Sequence, residues 1–283
     1  MYKHKKSILI TGCSSGIGRC VAEGLKQRGY QVFATARKPA DVDSLKKQGF
    51  DALRLDLDDS ESIHSAVDQL LTQTDGKLDA LFNNGAYGLP GAVEDLSRDA
   101  LRAQFETNVF GWIELTNRII PVMRQQGHGR IIQNSSVLGF AAMPYRGAYN
   151  ASKFAIEGFT DTLRQELVGS NIHISLVQPG PIISQFRANA YKAFQTFIKT
   201  ENSFHQAEYD SMIARLNKQG PAAPFTLGPE AVLKKVIHAL ESAKPKIRYY
   251  VTVPTYLFGY LKRFLSYRMM DRLLIKAGGS GKR

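Results

Sequence analysis

Residues 7–18 read Ser7-Ile8-Leu9-Ile10-Thr11-Gly12-Cys13-Ser14-Ser15-Gly16-Ile17-Gly18. The first five are apolar and β-prone and predict a short buried strand. Gly12, Gly16 and Gly18 follow, and Val21 and Leu25 then open a helical pattern. Strand, glycine turn and helix in that order make a cradle for phosphate. Glycine admits a tight turn and a close approach of backbone to ligand, and a helix N-terminus favours an anion. The same stretch contains Gly12-Cys13-Ser14-Ser15-Gly16, which matches the G-x-S-x-G elbow of α/β-hydrolases. That reading gives Gly18 no purpose and puts the serine ahead of any strand that could supply an oxyanion loop. The dinucleotide reading accounts for both.

Strands and helices alternate from there. A second strand is predicted over 31–36, ending at Ala36 with Arg37 and Lys38 behind it. In dinucleotide folds this point faces the adenosine ribose. An acid there accepts from the 2′-hydroxyl of NAD, and an arginine accommodates the 2′-phosphate of NADP. Arg37 holds the place and no acid does, which predicts NADP(H). The pattern continues with a helix over 41–48, a strand over 52–57 that carries Asp56, a helix over 60–72 and a strand over 78–83. One long helix is predicted over 98–123, containing Asn108. A strand over 130–134 delivers Ser135 and Ser136, a helix carries Tyr149 to about residue 167, and strands follow over 172–177 and 249–253. This alternation predicts an α/β fold: a doubly wound (Rossmann) parallel seven-stranded sheet flanked by helices, one domain over 1–283. The sequence contains no internal repeat.

Composition narrows the partners. The chain has 283 residues, is 43% hydrophobic and carries a formal net charge of +12. Lys and Arg are spread along it, thickening at Lys3, Lys5 and Lys6 and in the final fifth. With no zinc-finger, RRM or basic-zipper pattern, nucleic acid is not expected as a partner. Cys13 and Cys20 form no Cys-x-x-Cys, which fits a reducing compartment. The histidines at 4, 64, 128, 173, 205 and 238 lack ligand spacing, so no metal site is expected. No apolar run suits a signal peptide or a membrane-spanning helix, and a cytoplasmic protein is the expectation.

Tyr149 and Lys153 lie four apart on one helix face. A free phenol is a poor proton donor at neutral pH, and a cation beside it lowers its pKa, so the pair is a candidate general acid/base. Alone, such a pair is equally a packed tyrosine above a lysine whose amine reaches solvent. Its company decides. TGCSSGIG, Asn83-Asn84-Gly85-Ala86, Asn108, Ser135-Ser136, Tyr149-Asn150-Ala151-Ser152-Lys153 and Pro179-Gly180-Pro181-Ile182 stand in one order on one frame. Together they resemble the short-chain dehydrogenase/reductase family over roughly residues 5–185. Phe225-Thr226-Leu227-Gly228-Pro229-Glu230 and Lys244-Pro245-Lys246 are similar to bacterial 17β-hydroxysteroid-dehydrogenase-like and retinol-dehydrogenase-like members that act as NADP-dependent aldehyde reductases.

The resemblance implies roles. Tyr149 is the catalytic acid/base, and Lys153 lowers its pKa and holds the nicotinamide ribose. Ser136, thirteen residues before Tyr149, steadies the substrate oxygen, and Asn108 anchors a water on the proton path to Lys153. Gly12, Ser14, Ser15, Gly16, Ile17 and Gly18 surround the pyrophosphate. Asp56 and Leu57 meet the adenine, with Asn83 and Gly85 beside the adenosine. Pro179, Gly180, Ile182 and Ser184 lie along the nicotinamide end. The usual Asn-Asn-Ala-Gly is Asn-Asn-Gly-Ala here, which predicts a local backbone adjustment at Gly85 and Ala86. The implied reaction is hydride transfer between a nicotinamide and a carbonyl or alcohol carbon.

Residues 184–226 interrupt the alternation and carry Phe186, Tyr191, Phe194, Phe197, Phe204, Tyr209 and Phe225. The resemblance makes this region a substrate lid. So many aromatic residues, with Tyr87, Leu89, Phe140, Met143 and Tyr145, predict a large apolar pocket, part of which simply packs the lid onto the body. The expected substrates are apolar aldehydes or ketones, aliphatic, retinoid-like or steroid-like. The alternatives are a 3-oxoacyl-type reductase and a non-catalytic NADP(H)-sensing protein. A basic amphipathic helix is predicted over about 254–276, covering the body, a partner subunit or an anionic membrane surface. Self-association as a dimer or tetramer is expected, and 278–283 read as a frayed end.

Overall fold

Ile8 and Ile10 point to one side of a sheet and Leu9 to the other, and all three are fully buried. Successive strand residues alternate between faces, and a strand covered on both faces reads as an unbroken apolar run. The computed structural model describes residues 5–279 apart from 219 and 222. The expectations at Lys3, His4 and 280–283 lie outside the described residues.

The strands are β1 (Ser7–Ile10), β2 (Gln31–Ala36), β3 (Asp51–Arg54), β4 (Ala80–Asn83), β5 (Gly129–Asn134), β6 (Ile172–Gln178) and β7 (Arg248–Tyr250). They form one sheet in the order β3-β2-β1-β4-β5-β6-β7, with every pairing parallel. The first helices are α1 (Gly16–Gln27), α2 (Pro39–Lys47), α3 (Ser60–Gln73), α4 (Arg98–Phe105), α5 (Gly111–Gln126) and α6 (Gly147–Glu166). Then come α7 (Phe186–Phe197), α8 (Gln206–Asn217), α9 (Glu230–Glu241), α10 (Val253–Phe264) and α11 (Tyr267–Gly278). Val21 and Leu25 of α1, Val42 and Leu45 of α2 and Val236 of α9 close one core against Ile8 and Ile10. Ile63 and Val67 of α3, Trp112 and Leu115 of α5 and Ile156 of α6 close the other against Leu9 and Leu81. The chain winds outward from β1 through β2 to β3, then restarts at β4 on the other side of β1. Ligands bind such sheets in the crevice at the carboxyl ends of the strands flanking that switch, here β1 and β4.

Four elements differ from the pattern's expectation. The strand over 249–253 ends at Tyr250, and Val253 already opens α10. The strand over 52–57 stops at Arg54: the Asp56 N–H turns to the Ser62 hydroxyl (3.0 Å), and the Asp59 carboxylate caps α3 by accepting from the Ser62 N–H (3.1 Å). The helix over 98–123 is two helices joined by a π-helical turn, Glu106–Phe110. Its apolar period runs on through the break, which hides it from a pattern. The helix over 254–276 is also two, because Leu265 is extended and the Ser266 side chain starts α11 by accepting from the Met269 N–H. Among the described residues no helix is long and apolar enough to cross a membrane.

Candidate active site

The turn after β1 lies in the crevice. Gly12 has φ +73°, and a Cβ there would stand 2.7 Å from the Gly85 Cα. A Cβ on Gly18 would stand 2.2 Å from the Gly12 carbonyl oxygen. Neither position tolerates a side chain, for different reasons: a left-handed backbone at the first, and packing of the helix start on the turn at the second. Ser15 is the N-cap of α1, yet its hydroxyl makes no capping bond, and no acid sits in the first helical turn. Unpaired N–H groups therefore face the crevice, with Ser14 exposed and Ile17 partly buried beside them. Cys13 is buried, and burial pushes its thiol up to about 12, which leaves it inert.

Arg37 is exposed immediately after β2. Its charge acts on Asp58 and on Tyr87 across the crevice mouth. Asp56 is half-buried and accepts from the Asp58 N–H (3.3 Å). Leu57 packs beside Gly85, where a Cβ would meet its Cδ1 at 3.1 Å. Gly85 itself keeps an ordinary negative φ, and its carbonyl accepts from the Trp112 indole N–H (2.7 Å). The inverted Gly-Ala order thus needs no left-handed residue.

Asn83 and Asn84 part company. Asn83 is fully buried and donates to the Thr116 hydroxyl (2.9 Å), so its side chain holds α5 against the sheet and only its backbone can reach the crevice. Asn84 donates to the carbonyls of Thr11 (2.9 Å) and Gly12 (3.3 Å), bracing the glycine turn from below. The Thr11 hydroxyl accepts from the N–H groups of Asn84 and Gly85, both at 2.8 Å. Asn134 donates to the Asn84 carboxamide oxygen (2.9 Å), and the Lys153 ammonium donates to the Asn134 carbonyl (2.9 Å). This relay joins the glycine turn to Lys153. Thr11 and Asn134 carry no motif signal of their own, and the family resemblance points to Asn83 rather than Asn84. Strand alternation was the available signal, since only one of two adjacent residues can face the crevice.

Asn108 sits in the π-helical turn, fully buried. Its carboxamide accepts from the Tyr87 N–H (3.2 Å) and donates to the Tyr87 carbonyl (2.9 Å) and the Ser152 hydroxyl (3.1 Å). A Cβ on Gly111, at the following helix start, would stand 2.0 Å from the Leu57 carbonyl oxygen, so α5 rides close over the β3–α3 connection. That close seat and the three Asn108 bonds hold the widened turn, a feature that recurs at functional sites.

Ser136 follows β5, buried, and its hydroxyl accepts from the Leu138 N–H (3.1 Å). Ser135 faces the opposite way, toward Glu157. Tyr149 is half-buried, with the Phe186 ring edge-on at 5.3 Å. Lys153 is buried, its ammonium 4.2 Å from the Trp112 ring centre and 5.8 Å from that of Tyr149. Sequence spacing predicts a phenol lowered by the lysine. Burial instead pushes Tyr149 up to about 12, with the nearby Ser136 hydroxyl pulling it back. Burial also brings Lys153 down to about 7, against an upward pull from Glu157. For both groups burial is the largest cause.

The segment after β6 closes the far wall. The Pro179 carbonyl accepts from the Val137 N–H (2.8 Å), and a Cβ on Gly180 would stand 2.1 Å from the Thr252 hydroxyl. Ile182 bridges to Leu227, and Ser184 lies where a Cβ on Gly16 would meet it at 3.0 Å. Residues 184–226 hold α7 and α8. Phe194 and Tyr209 are buried against each other at 5.3 Å, and the Tyr209 and Ser203 hydroxyls donate to Asp95. Tyr145 and Glu94 both meet His205. Phe140 stacks on Tyr250 and packs the body, while the fully buried Leu89 shares a cluster with the lid residues Phe194 and Tyr209. Phe204 and Phe225 are exposed. Phe186 is the lid aromatic that reaches Tyr149.

The short chain dehydrogenase family profile matches residues 6–194. The chain is 44% identical over 270 residues to the protein named Uncharacterized oxidoreductase YbbO of Escherichia coli (strain K12), covering 95% of this chain and 94% of that one. It is 33% identical over 255 residues to retinol dehydrogenase 8 of Homo sapiens, covering 86% and 80%. In structure it is similar to a short-chain dehydrogenase from Streptomyces avermitilis, with a TM-score of 0.76, 27% identity, and coverage of 93% and 94%.

Proposed function

Because this chain belongs to the short chain dehydrogenase family of oxidoreductases, we propose that it is an NADP(H)-dependent enzyme that reduces apolar aldehydes or ketones in the cytoplasm. The observation that carries the reading is the buried relay from the Lys153 ammonium through Asn134 and Asn84 to the glycine turn, with Ser136 and Tyr149 at its open end. The residues present fit the cofactor. Gly12 and Gly18 leave a cradle that a Cβ would fill, the α1 N-terminus has unused N–H groups, and Arg37, exposed just after β2, supports a 2′-phosphate there.

When bound, the nicotinamide supplies the hydride. The chain's own residues manage the oxygen. The Ser136 hydroxyl accepts from the Leu138 N–H and lies beside the phenol, and its own proton would turn to the substrate oxygen. Tyr149 gives its proton to that oxygen as charge develops on it, and the Lys153 cation stabilises the phenolate left behind. The side chain of Asn108 is committed to Tyr87 and Ser152. What it offers a water on the way to Lys153 is the backbone of a π turn, where the regular carbonyl pairing is interrupted.

An apolar substrate is supported by Phe186 over the phenol and by the name of the human relative, retinol dehydrogenase 8. The test is NADPH oxidation across a series of aldehydes and ketones of rising apolar size. Specificity, kcat/KM, should rise with size, and activity confined to small charged substrates would overturn the assignment.

Peripheral membrane contact is part of this reading. Phe258, Met270 and Leu274 bury one row of α10 and α11 against Val137 and Ala141, near the crevice. The outer row exposes Phe264 (83%) and Tyr267 (89%) together with Arg263, Arg268, Arg272 and Lys276. Apolar rings among cations suit an anionic bilayer surface. The protein should sediment with anionic vesicles and not with neutral ones, and the double substitution Phe264→Glu/Tyr267→Glu should leave it in the supernatant. Unchanged sedimentation of that variant would exclude this face. For self-association the flank proposed is the one where Phe110 and Phe159 are exposed around a hollow between α3, α5 and α6. Light scattering before vesicles are added should give at least two chains, and a single-chain mass would remove this part.

A further inference from the structure

Beyond the residues assigned above lies a buried carboxylate that the reaction has not used. Glu157 follows Lys153 by four residues on α6, and Asp161 follows Glu157 by four more. A step of four overshoots one helical turn by about 40°. The row Tyr149, Lys153, Glu157, Asp161 therefore winds from the crevice, through the interior, to the surface beside β6 and β7. Glu157 is 8% exposed. A carboxylate so placed is costly unless it is paired and hydrogen-bonded.

Each neighbouring element supplies something to it. From β6, Gln178 donates to Oε1 (2.8 Å). From β7, the Arg248 Nε stands 3.4 Å from Oε2, and the same guanidinium donates to Asp161 (2.6 Å). From the end of β5, the Ser135 hydroxyl lies beside the carboxylate. Gly139 makes room for both, since a Cβ there would stand 2.5 Å from the Ser135 Oγ and 3.1 Å from the Glu157 Oε1. Burial, helped by the like charge of Asp161, pushes Glu157 above the usual carboxylate range, and Ser135, Gln178 and Arg248 pull it back toward the ionised form. On its other side Glu157 acts on Lys153, which faces the Asn134 carbonyl, the Trp112 ring and Tyr149. Among the described residues Glu157 is the charged group that acts on Lys153.

We propose that Glu157 is a positioning residue: a fixed buried negative charge, one turn below Lys153 and held by Gln178 and Arg248, that keeps the lysine an ammonium in a site that would otherwise neutralise it. The inference rests on the reading of Lys153 above. Burial brings Lys153 down to about 7 even against the upward pull of Glu157, so loss of the carboxylate would take it lower still. The lysine would then be neutral over most of the working range, and the phenolate formed at Tyr149 would lose its cation. A purely structural Glu157, bridging α6 to β6 and β7, would affect stability and leave Lys153 alone.

The two roles separate in Glu157→Gln. In the ligand-free full-length protein, the Lys153 side-chain signal is titrated by NMR, assigned by its loss in Lys153→Met. Its midpoint should fall by at least about one pH unit, the size expected for one charge a helical turn away in a partly desolvated site. The basic limb of the kcat profile for carbonyl reduction should move down by a similar amount, with KM changing less than about threefold. Glu157→Asp should restore part of both. Arg248→Met, which removes the cation that holds the carboxylate ionised, should shift both the same way by less, and it takes over the test if Glu157→Gln does not fold. An unmoved Lys153 midpoint in folded Glu157→Gln, or in folded Arg248→Met if that variant must serve, overturns the proposal. The functional reading fails separately, through Tyr149: an active Tyr149→Phe enzyme would reject it whatever Lys153 does.

Discussion

Replacement of Tyr149 by phenylalanine should lower turnover by at least about a hundredfold, the low end for removal of a general acid, and leave NADPH binding within about threefold. The change removes one hydroxyl. The ring keeps its edge contact with Phe186 at 5.3 Å and its place on α6, so packing is not the variable. The direction of the pKa adds a signature. Burial pushes the phenol up to about 12, so at neutral pH it holds the proton that reduction requires. The raised value keeps the acid form present as pH rises toward it. Reduction should therefore vary little with Tyr149 ionisation between pH 6 and about pH 9, while alcohol oxidation, which needs the phenolate, should climb with pH through that range. Near-normal turnover in the phenylalanine variant would reject the assignment of Tyr149.

The second large effect lies at Arg37. Arg37→Asp should lower kcat/KM for NADPH by at least about thirtyfold while leaving NADH unchanged or improved. A charge-assisted hydrogen bond contributes about 1.5–3 kcal/mol, and placing an acid beside a 2′-phosphate adds repulsion. The side chain is exposed at the end of β2, so the fold tolerates the change and the cofactor ratio isolates the contact. An unchanged NADPH/NADH ratio would mean that Arg37 is a solvated loop charge and that the 2′-phosphate is met elsewhere.

The sheet was legible because its information is local. Unbroken apolar runs such as 8–10, followed by glycine or asparagine and then a 3.6-residue period, state both the parallel sheet and the edge at which ligands bind. The seven-stranded parallel sheet is the one the alternation predicts. What was not legible depends on groups that meet across the fold. The π turn at Glu106–Phe110 is held by Tyr87, Ser152 and the Leu57 carbonyl, none of them near in sequence. Alternation says that Asn83 and Asn84 face opposite ways, but which of them meets the glycine turn is set by the neighbours Thr116 and Asn134. The direction of the phenol's shift is not legible for the same reason: spacing reveals the lysine, whereas burial, the larger cause, depends on what packs around the ring. The lid aromatics divide likewise: Phe194 and Tyr209 pack inward and Phe204 is exposed, although composition treats them alike.

The most direct test of the central claim follows the hydride itself. The protein is incubated with an apolar aldehyde and NADPH carrying deuterium at both hydrogens of the nicotinamide C4, and the product alcohol is weighed by mass spectrometry. The account predicts one deuterium at the former carbonyl carbon, with product formation lost in Tyr149→Phe under conditions where that variant still binds NADPH. Tight NADPH binding by the wild-type chain with no labelled alcohol from any carbonyl offered would contradict it, leaving a nucleotide-binding fold without this chemistry.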